Sequence, residues 1–395
     1  MKRMLVRSRL LFASTAAAYL GLAAVGPVSA QMTPQELGEP VAAYDQPFST
    51  LSGVRELSDG RVVVSDGLEE AVQILDAGLS SATQVGRKGQ GPGEHGQPDA
   101  LYPWGQGDET LLVDLGNARL TVIAPDGEMG ESMPMSREAN GAPMIVIPGG
   151  VDKATNVYFQ PLGISPGGGI PDSSTVVRLA ADGSQLDTIA AVKRPDMRSN
   201  TSGSSNNRST RITRVPLSAQ DSWAVGADGS VAIARSADYH LEWIKADGSI
   251  RRGSPVDYDP VRVRGPEKDR WIAGRQNGLN VGMTIDNGQR RMSFSRGGGG
   301  TPEADPDDYE WPETMPPFAG GGAVSVTPDG NAWVERNTPA GDPVMFDVFG
   351  PSGDRIGIVV LPEGRRLVTF GAGSVYLSRQ DDLDFVWLEK YDRTL

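Results

Sequence analysis

A two-residue turn signal recurs through this chain and constrains its fold more than any other feature. Asp-Gly stands between short runs of alternating apolar residues at positions 59–60, 126–127, 182–183, 228–229, 247–248 and 329–330, and Ser-Gly stands at 352–353. Such a pair favours a tight β-hairpin, because Gly adopts positive φ cheaply and Asp tolerates it better than most residues. The chain is therefore predicted to be a series of hairpins.

Each turn belongs to a longer unit of one kind. In the first unit, the runs 53–57 and 61–66 flank the turn at 59–60, and the run 71–76 leads through Ala77-Gly78 to a fourth strand. Later units repeat this pattern, with runs at 110–114 and 119–123, 156–159 and 174–179, 230–234 and 240–244, and 331–335 and 344–349. A period of about 45 residues with four short strands is typical of β-propeller blades.

The sixth unit indicates how the array closes. It runs from Arg366 to Tyr391 and ends after three strands. A radial array of sheets must hide its edges, so this unit needs a strand from elsewhere. The segment 38–44 precedes the first unit and can supply it. We predict an all-β fold, a six-bladed β-propeller closed by an N-terminal strand, over an eight-stranded barrel or a sandwich.

The first thirty residues have the pattern of an export signal. Lys and Arg stand at positions 2, 3, 7 and 9, an apolar stretch follows from 10 to 25, and small residues precede a cleavage point after Ala30. We predict a signal peptide at 1–30 and a periplasmic or extracellular protein, with no transmembrane segment once the signal is removed. The alternative is that the apolar stretch is retained as an anchor.

Composition narrows the classes of function. The chain of 395 residues contains no Cys, so its stability must come from a buried core rather than from disulfides. Its formal net charge of −13 disfavours nucleic acid and anionic membranes as general partners. The 50 Gly and 29 Pro residues fit a fold with many turns and few helices.

Two stretches interrupt the repeat. Residues 193–221 include a run rich in Ser, Asn and Arg that offers little to bury, which predicts a loop or disorder. Residues 264–321 begin like a short helix at Pro266 and continue into a Gly run and an acidic, Pro-rich stretch. We predict one propeller domain over 31–395 that carries loop insertions at 193–221 and 264–321, the second with a short helix.

A glycine-rich segment follows the first unit and reads Gly86-Arg87-Lys88-Gly89-Gln90-Gly91-Pro92-Gly93-Glu94. Successive backbone N–H groups can bind an anion, but a phosphate loop would need a following Lys-Ser or Lys-Thr and a helix, which are missing here. Placed after a first blade, the segment resembles the signature of exported bacterial six-bladed β-propellers related to NHL-repeat and TolB-like proteins. The resemblance implies the fold and export but no activity, and His95 departs from the aromatic or aliphatic residue usual at its position.

Candidate contact residues come from this segment and from the insertions. The structural interpretation of the segment is a turn between blades. The functional one places Arg87, Lys88 and Glu94 on a propeller face near the axis, with Trp104 as either a binding aromatic or a core residue. Basic side chains of the insertions could bind an acidic partner or lipid headgroups, and these are Arg198, Arg208, Arg211, Arg214, Arg290 and Arg291.

Catalytic and metal patterns are weak. His95 and His240 show no metal-ligand spacing, and no Gly-x-Ser-x-Gly elbow supports a hydrolase triad. Turn chemistry explains most of the Asp residues, which leaves Asp66 and Asp114 as the one matched pair of acids for a calcium ion in the central tunnel.

The function predicted from these observations is a binding one. We expect an exported, non-enzymatic binding or scaffolding propeller without a cofactor, which works with protein partners, for example as a membrane-extrinsic subunit of an envelope complex. One alternative is a calcium-dependent, lactonase-like hydrolase with its site in the central tunnel. Another is a sensor of small molecules or peptides.

Overall fold

The computed structural model describes residues 32–139, 142–161, 171–204, 207–275, 279–286, 289–296 and 306–393. Six sheets of four or five strands within these ranges are arranged as the blades of a propeller, which confirms the predicted fold. The predicted signal peptide at 1–30 lies outside the described residues.

Each blade has four strands, a to d, in the order of the chain, except that the last strand of blade 6 comes from the N-terminal segment. In blades 1 and 2 they are Gly53–Glu56, Val62–Asp66, Ala71–Leu75 and Ala82–Gln84, then Pro98–Trp104, Glu109–Asp114, Arg119–Ile123 and Met129–Pro134. In blades 3 and 4 they are Gly150–Val151, Val157–Phe159, Ser173–Leu179 and Leu186–Lys193, then Ser222–Val225, Val231–Arg235, His240–Ile244 and Ile250–Arg252. In blades 5 and 6 they are Val324–Val326, Ala332–Glu335, Met345–Phe349 and Arg355–Val360, then Arg365–Phe370, Ser374–Gln380, Val386–Asp392 and Ala42–Ala43.

The N-terminal segment closes the propeller, as predicted. Ala42 and Ala43 pair antiparallel with Lys390 and Glu389 in strand c of blade 6. A second strand, Gln35–Glu36, pairs in parallel with strand d of blade 5. The N-terminal segment therefore covers two outer edges before the chain enters blade 1.

The core lies between the blades. Strand a of one blade lies against strand a of the next, which places these strands around the axis. Strand b of blade 1 is buried along its whole length, because both faces of the sheet pack against neighbours. For example, Val54 of blade 1 packs with Tyr376 and Leu388 of blade 6. This explains why strand b of blade 1 begins with three consecutive Val residues, whereas strand c, Ala71–Leu75, keeps an alternating pattern of burial.

Strand order gives the propeller two unlike faces. In an antiparallel blade the a–b and c–d turns lie at one end, and the b–c turns and the connections to the next blade lie at the other. The six Asp-Gly turns of the repeat and the Ser-Gly turn at 352–353 fall at the first end, and their glycines have φ between 72° and 91°. A further Asp-Gly pair, at 66–67, lies in the b–c turn of blade 1 at the other end. We call this end the turn face and the other end the insertion face, because the connections at 194–221 and 253–323 both emerge there.

The first insertion differs from its prediction. Its backbone forms an antiparallel hairpin, Met197–Ser204 with Asn207–Arg214, where the sequence predicts a loop. A hairpin needs only backbone pairing along its length, so a run with few apolar residues can still form one.

The second insertion contains the predicted helix, α1, at Gly265–Arg275. It also contains a hairpin, Leu279–Asp286 with Gln289–Arg296, and a 3₁₀ turn at Pro306–Asp308. A further hairpin, Ser136–Ala139 with Ala142–Ile145, lies between blades 2 and 3. In the part of the chain that the structure describes, no helix has the length and apolarity to cross a membrane.

Candidate functional site

In the glycine-rich connection between blades 1 and 2, the carboxylate of Glu94 accepts hydrogen bonds from other residues of the same connection. A short parallel pair joins Arg87–Lys88 to Glu94–His95. The Glu94 carboxylate accepts hydrogen bonds from the Gly91 N–H at 2.8 Å and from Arg87 Nε at 2.9 Å. These two donors, the Gly91 N–H first, lower the pKa of Glu94. The Glu94 carboxylate therefore occupies the place where an external anion would accept the Gly91 N–H. We interpret the glycine-rich segment as a structural connection between blades.

Contacts to the two flanking blades hold this connection in place. Lys88 Nζ lies 2.6 Å from Glu70 Oε2 in the b–c turn of blade 1. Asn117 Nδ2, in the b–c turn of blade 2, donates to the Gly89 carbonyl at 2.9 Å. The segment thus spans two b–c turns on the insertion face, and the Arg87 and Lys88 side chains remain exposed there.

Two residues near this segment are part of the packing. His95 is fully buried with Nε2 3.2 Å from the Val85 carbonyl, and burial lowers the pKa of its imidazole. Trp104 is at the far end of strand a of blade 2, at the turn face, and packs against the cluster between blades 2 and 3. The structure therefore brings Arg87, Lys88 and Glu94 together and separates Trp104 from them.

Asp66 and Asp114 occupy matching places at the ends of strand b in blades 1 and 2, and both cap turns. Asp66 accepts four backbone N–H groups, from Ser49, Thr50, Leu68 and Glu69, at 2.7 to 3.2 Å. Asp114 accepts the Gly96 N–H at 2.9 Å, Asn117 Nδ2 at 2.7 Å and Arg119 Nε at 3.2 Å.

This pair does not fit a calcium site. Oxygen atoms that already accept N–H groups have little capacity left for a cation, and Arg119 adds a positive charge beside Asp114. Within the described ranges, no group of three or more His, Cys, Asp or Glu side chains is arranged to hold a metal ion.

The two insertions contact each other on the insertion face. Arg198, in the first insertion, forms an exposed salt bridge with Glu310 in the second. Arg214, at the end of the same hairpin, lies beside Gln220 and Gly320. The other predicted contact residues belong to hairpin strands whose side chains lie outside the described part, and they are Arg208, Arg211, Arg290 and Arg291.

An aromatic cluster in the second insertion is absent from the sequence predictions. Trp271 of α1 lies 5.3 Å from Tyr309 and 5.5 Å from Trp311, with the rings edge to face. Lys268 Nζ lies 5.5 Å from the centre of the Trp311 ring. All three rings are partly exposed. The available signal was the presence of Trp271, Tyr309 and Trp311 in the same insertion, but their spacing along the chain does not predict contact.

Comparison with known proteins finds solved structures that resemble this chain, but no similar sequence. No family model matches the sequence, and no curated protein matches it. A DUF4221 family member from Bacteroides vulgatus is 10% identical, with 90% of this chain and 97% of that chain covered and a TM-score of 0.47. A calcium-binding protein, regucalcin, from Agrobacterium tumefaciens is 11% identical, with 91% and 97% covered and a TM-score of 0.41. A gluconolactonase from Xanthomonas campestris is 11% identical, with 90% and 98% covered and a TM-score of 0.40. At these values the likenesses assign no activity to this chain.

Proposed function

We propose that this protein is an exported binding propeller that docks a protein partner of the cell envelope through its insertion face. The observation that carries the proposal is the placement of both insertions. They leave the propeller between blades 3 and 4 and between blades 4 and 5, on the same face, and they contact each other through Arg198 and Glu310. Long connections on a rigid scaffold are where binding residues are usually found.

The second insertion is fastened to the propeller body. Glu267 of α1 accepts the Arg264 N–H at 3.0 Å and the Ala340 N–H at 2.9 Å, so it caps the helix and ties it to blade 5. Arg270 of the same helix donates to the Thr338 carbonyl at 2.6 Å. A surface fixed before it meets its partner loses less conformational entropy on binding, which favours affinity.

The side chains on this surface have the chemistry of protein interfaces. Partly exposed Trp and Tyr rings, with Arg beside them, are the residue types that contribute most to binding energy in such contacts. The aromatic cluster at Trp271, Tyr309 and Trp311 supplies the rings, and Arg198, paired with Glu310 between Tyr309 and Trp311 in the sequence, supplies a cation beside them. We infer that the partner presents a surface with both apolar and acidic groups to this cluster.

The test is a comparative pull-down from gently solubilised envelopes of the native host, read by mass spectrometry. The bait is the tagged protein, and the variant is Trp271→Ala combined with Trp311→Ala. The control is Arg251→Ala. Arg251 is exposed in strand d of blade 4, just after the turn at 247–248 on the turn face. A partner recovered by the protein and the control but lost with the double variant supports the proposal.

The proposal would be contradicted if the unmodified protein, the double variant and the control recovered the same partner equally, or if none of them recovered a partner. Metal content is measured on the same samples. A protein without partners that carries one calcium ion would instead favour the hydrolase alternative.

A further inference from the structure

A cleft lies on the insertion face between blades 6 and 1, away from both insertions. Its volume is about 270 Å³, and its lining includes Tyr44, Pro47, Phe48, Glu69 and Gln73. It forms where the chain leaves the closing strand of blade 6 and enters blade 1. The Tyr44 and Phe48 rings lie 5.4 Å apart and line the cleft, but they are only 8% and 6% exposed, so most of their surface belongs to the core.

Hydrogen bonds to both blades hold this part of the chain. The Phe48 N–H donates to the Val386 carbonyl of blade 6 at 2.8 Å. The Ser49 N–H donates to Asp66 of blade 1 at 2.7 Å, and the Ser49 hydroxyl donates to Glu69 at 2.6 Å. The cleft is thus a fixed part of the propeller closure.

Exposed apolar side chains lie on the b–c turns of blades 1 and 6, on either side of the segment 44–49. Leu68 is 53% exposed in the b–c turn of blade 1, and Leu383 and Phe385 are 76% and 42% exposed in the b–c turn of blade 6. Both turns are held by carboxylates: Asp381 accepts the N–H groups of Leu383 and Phe385 at 3.0 Å, and Asp66 accepts that of Leu68 at 3.1 Å. Apolar groups presented on fixed turns next to a cleft mark an interaction site.

The same turns are acidic. Glu69 follows Leu68, and Asp382 and Asp384 flank Leu383, and all three carboxylates are exposed. A ligand that covers the apolar side chains also approaches these charges, so it needs cations of its own. The aliphatic stem of a Lys or Arg can cover an exposed apolar side chain while its charged end reaches a carboxylate.

We propose that this cleft binds a short peptide segment of a partner protein, in which apolar side chains alternate with Lys or Arg. The apolar side chains cover Leu68 and Leu383, and a basic side chain reaches Glu69 at the rim of the cleft. This site is separate from the surface formed by the insertions. Peptide binding in the cleft could be correct even if the insertions bind no partner, and it could be wrong even if they do.

The experiment is selection of displayed random peptides of about eight residues on the immobilised protein with its insertions intact. Enriched sequences should combine Lys or Arg with Leu, Phe or Met. Synthetic copies are then measured by fluorescence anisotropy. The Leu68→Ser/Leu383→Ser variant should weaken their binding at least about tenfold, and Glu69→Gln should weaken it several-fold.

The matched control is Ile250→Ser/Ile356→Ser, which removes two apolar residues that are 62% and 48% exposed on blades 4 and 5. It should bind the selected peptides like the unmodified protein, and all variants should unfold at the same temperature. Three results overturn the proposal: no enrichment, enriched peptides without basic residues, or equal binding to the Leu68→Ser/Leu383→Ser variant. Loss of a partner through Trp271 and Trp311 would leave these peptides bound, which separates the two proposals.

Discussion

The hydroxyl of Tyr239 in blade 4 donates a 2.5 Å hydrogen bond to the carboxylate of Asp347 in blade 5. Asp347 is fully buried and also pairs with Arg336, through Nε at 2.6 Å, and with Arg355, through NH1 at 3.1 Å. Burial and then the Asp347 charge raise the pKa of Tyr239 well above its usual value. One buried carboxylate therefore joins two blades.

Removing this carboxylate should cost more than removing its phenol partner. Tyr239→Phe deletes one hydrogen bond to a charged group, which is worth about 1.5 to 3 kcal/mol. Asp347→Ala leaves Arg336 and Arg355 partly buried without their counter-charge, and we expect a loss of about 3 to 5 kcal/mol. Urea unfolding at neutral pH measures both. Equal and small effects would show that the network does not join the blades.

The closing segment should be as important for stability as any blade. Tyr44 is 8% exposed, and its N–H donates to the Leu388 carbonyl of blade 6 at 2.9 Å. Tyr44→Ala should cost about 3 kcal/mol or more, because it empties a buried aromatic site at the seam between blades 6 and 1. Val41→Ala is the control, since Val41 is 55% exposed in the same segment. A Tyr44→Ala protein as stable in urea as the Val41→Ala protein would contradict closure through this segment.

Two glycines of the connection between blades 1 and 2 allow a matched test. Gly86 and Gly93 have φ of 61° and 72°. A Cβ on Gly86 would lie 2.5 Å from Met129 Sδ and 2.8 Å from the Gly93 carbonyl, whereas one on Gly93 meets no atom within 4 Å. Gly93→Ala should therefore cost about 1 kcal/mol from the left-handed backbone alone. Gly86→Ala should cost clearly more, and thermal unfolding of the two variants compares them.

Stability should fall in acid because of the turn carboxylates. The Ser184 hydroxyl and N–H lower the pKa of Asp182, and the Ser249 hydroxyl and N–H lower the pKa of Asp247. Since the folded pKa lies below the unfolded value of about 3.9, this stability is present above that pH and is lost as the pH falls through the folded pKa. Urea unfolding at a series of pH values below about 5 should show the decline. Asp182→Asn/Asp247→Asn should reduce the decline only in part, because other carboxylates, among them Asp221 and Asp354, also have lowered pKa values. A decline identical to that of the unmodified protein would refute the assignment.

The architecture could be read from the sequence because its determinants are local. Asp-Gly turns fix hairpins, and a sixth unit with three strands demands a closing strand, which the segment 38–44 supplies through Ala42 and Ala43. The paired backbone of 197–214 could not be read, because backbone hydrogen bonds leave no apolar pattern there.

The surfaces depend on contacts that sequence spacing does not encode. Arg198 and Glu310 are 112 positions apart, and Trp271 meets Tyr309 only after the intervening insertion folds back. Both insertions lie on the same face because of the direction of the strands that they connect. That direction is known only once every strand of each blade has been assigned. Asp66 and Asp114 end matching strands, but each also accepts N–H groups from a segment outside its own turn, at Ser49 and Thr50 for Asp66 and at Gly96 for Asp114, which sequence spacing does not indicate.

The contact between the insertions can be tested by exchanging its charges. Arg198→Glu places two carboxylates together and should increase hydrogen exchange of the hairpin at 197–214, and Glu310→Arg should do the same around 306–313. The double exchange restores an opposite pair and should return both segments to their original protection. Because the pair is exposed, global stability should hardly change, and high salt should reduce the difference between single and double variants. Protection that is indifferent to all three variants would mean that the insertions are ordered separately, and the docking surface would then be two surfaces rather than one.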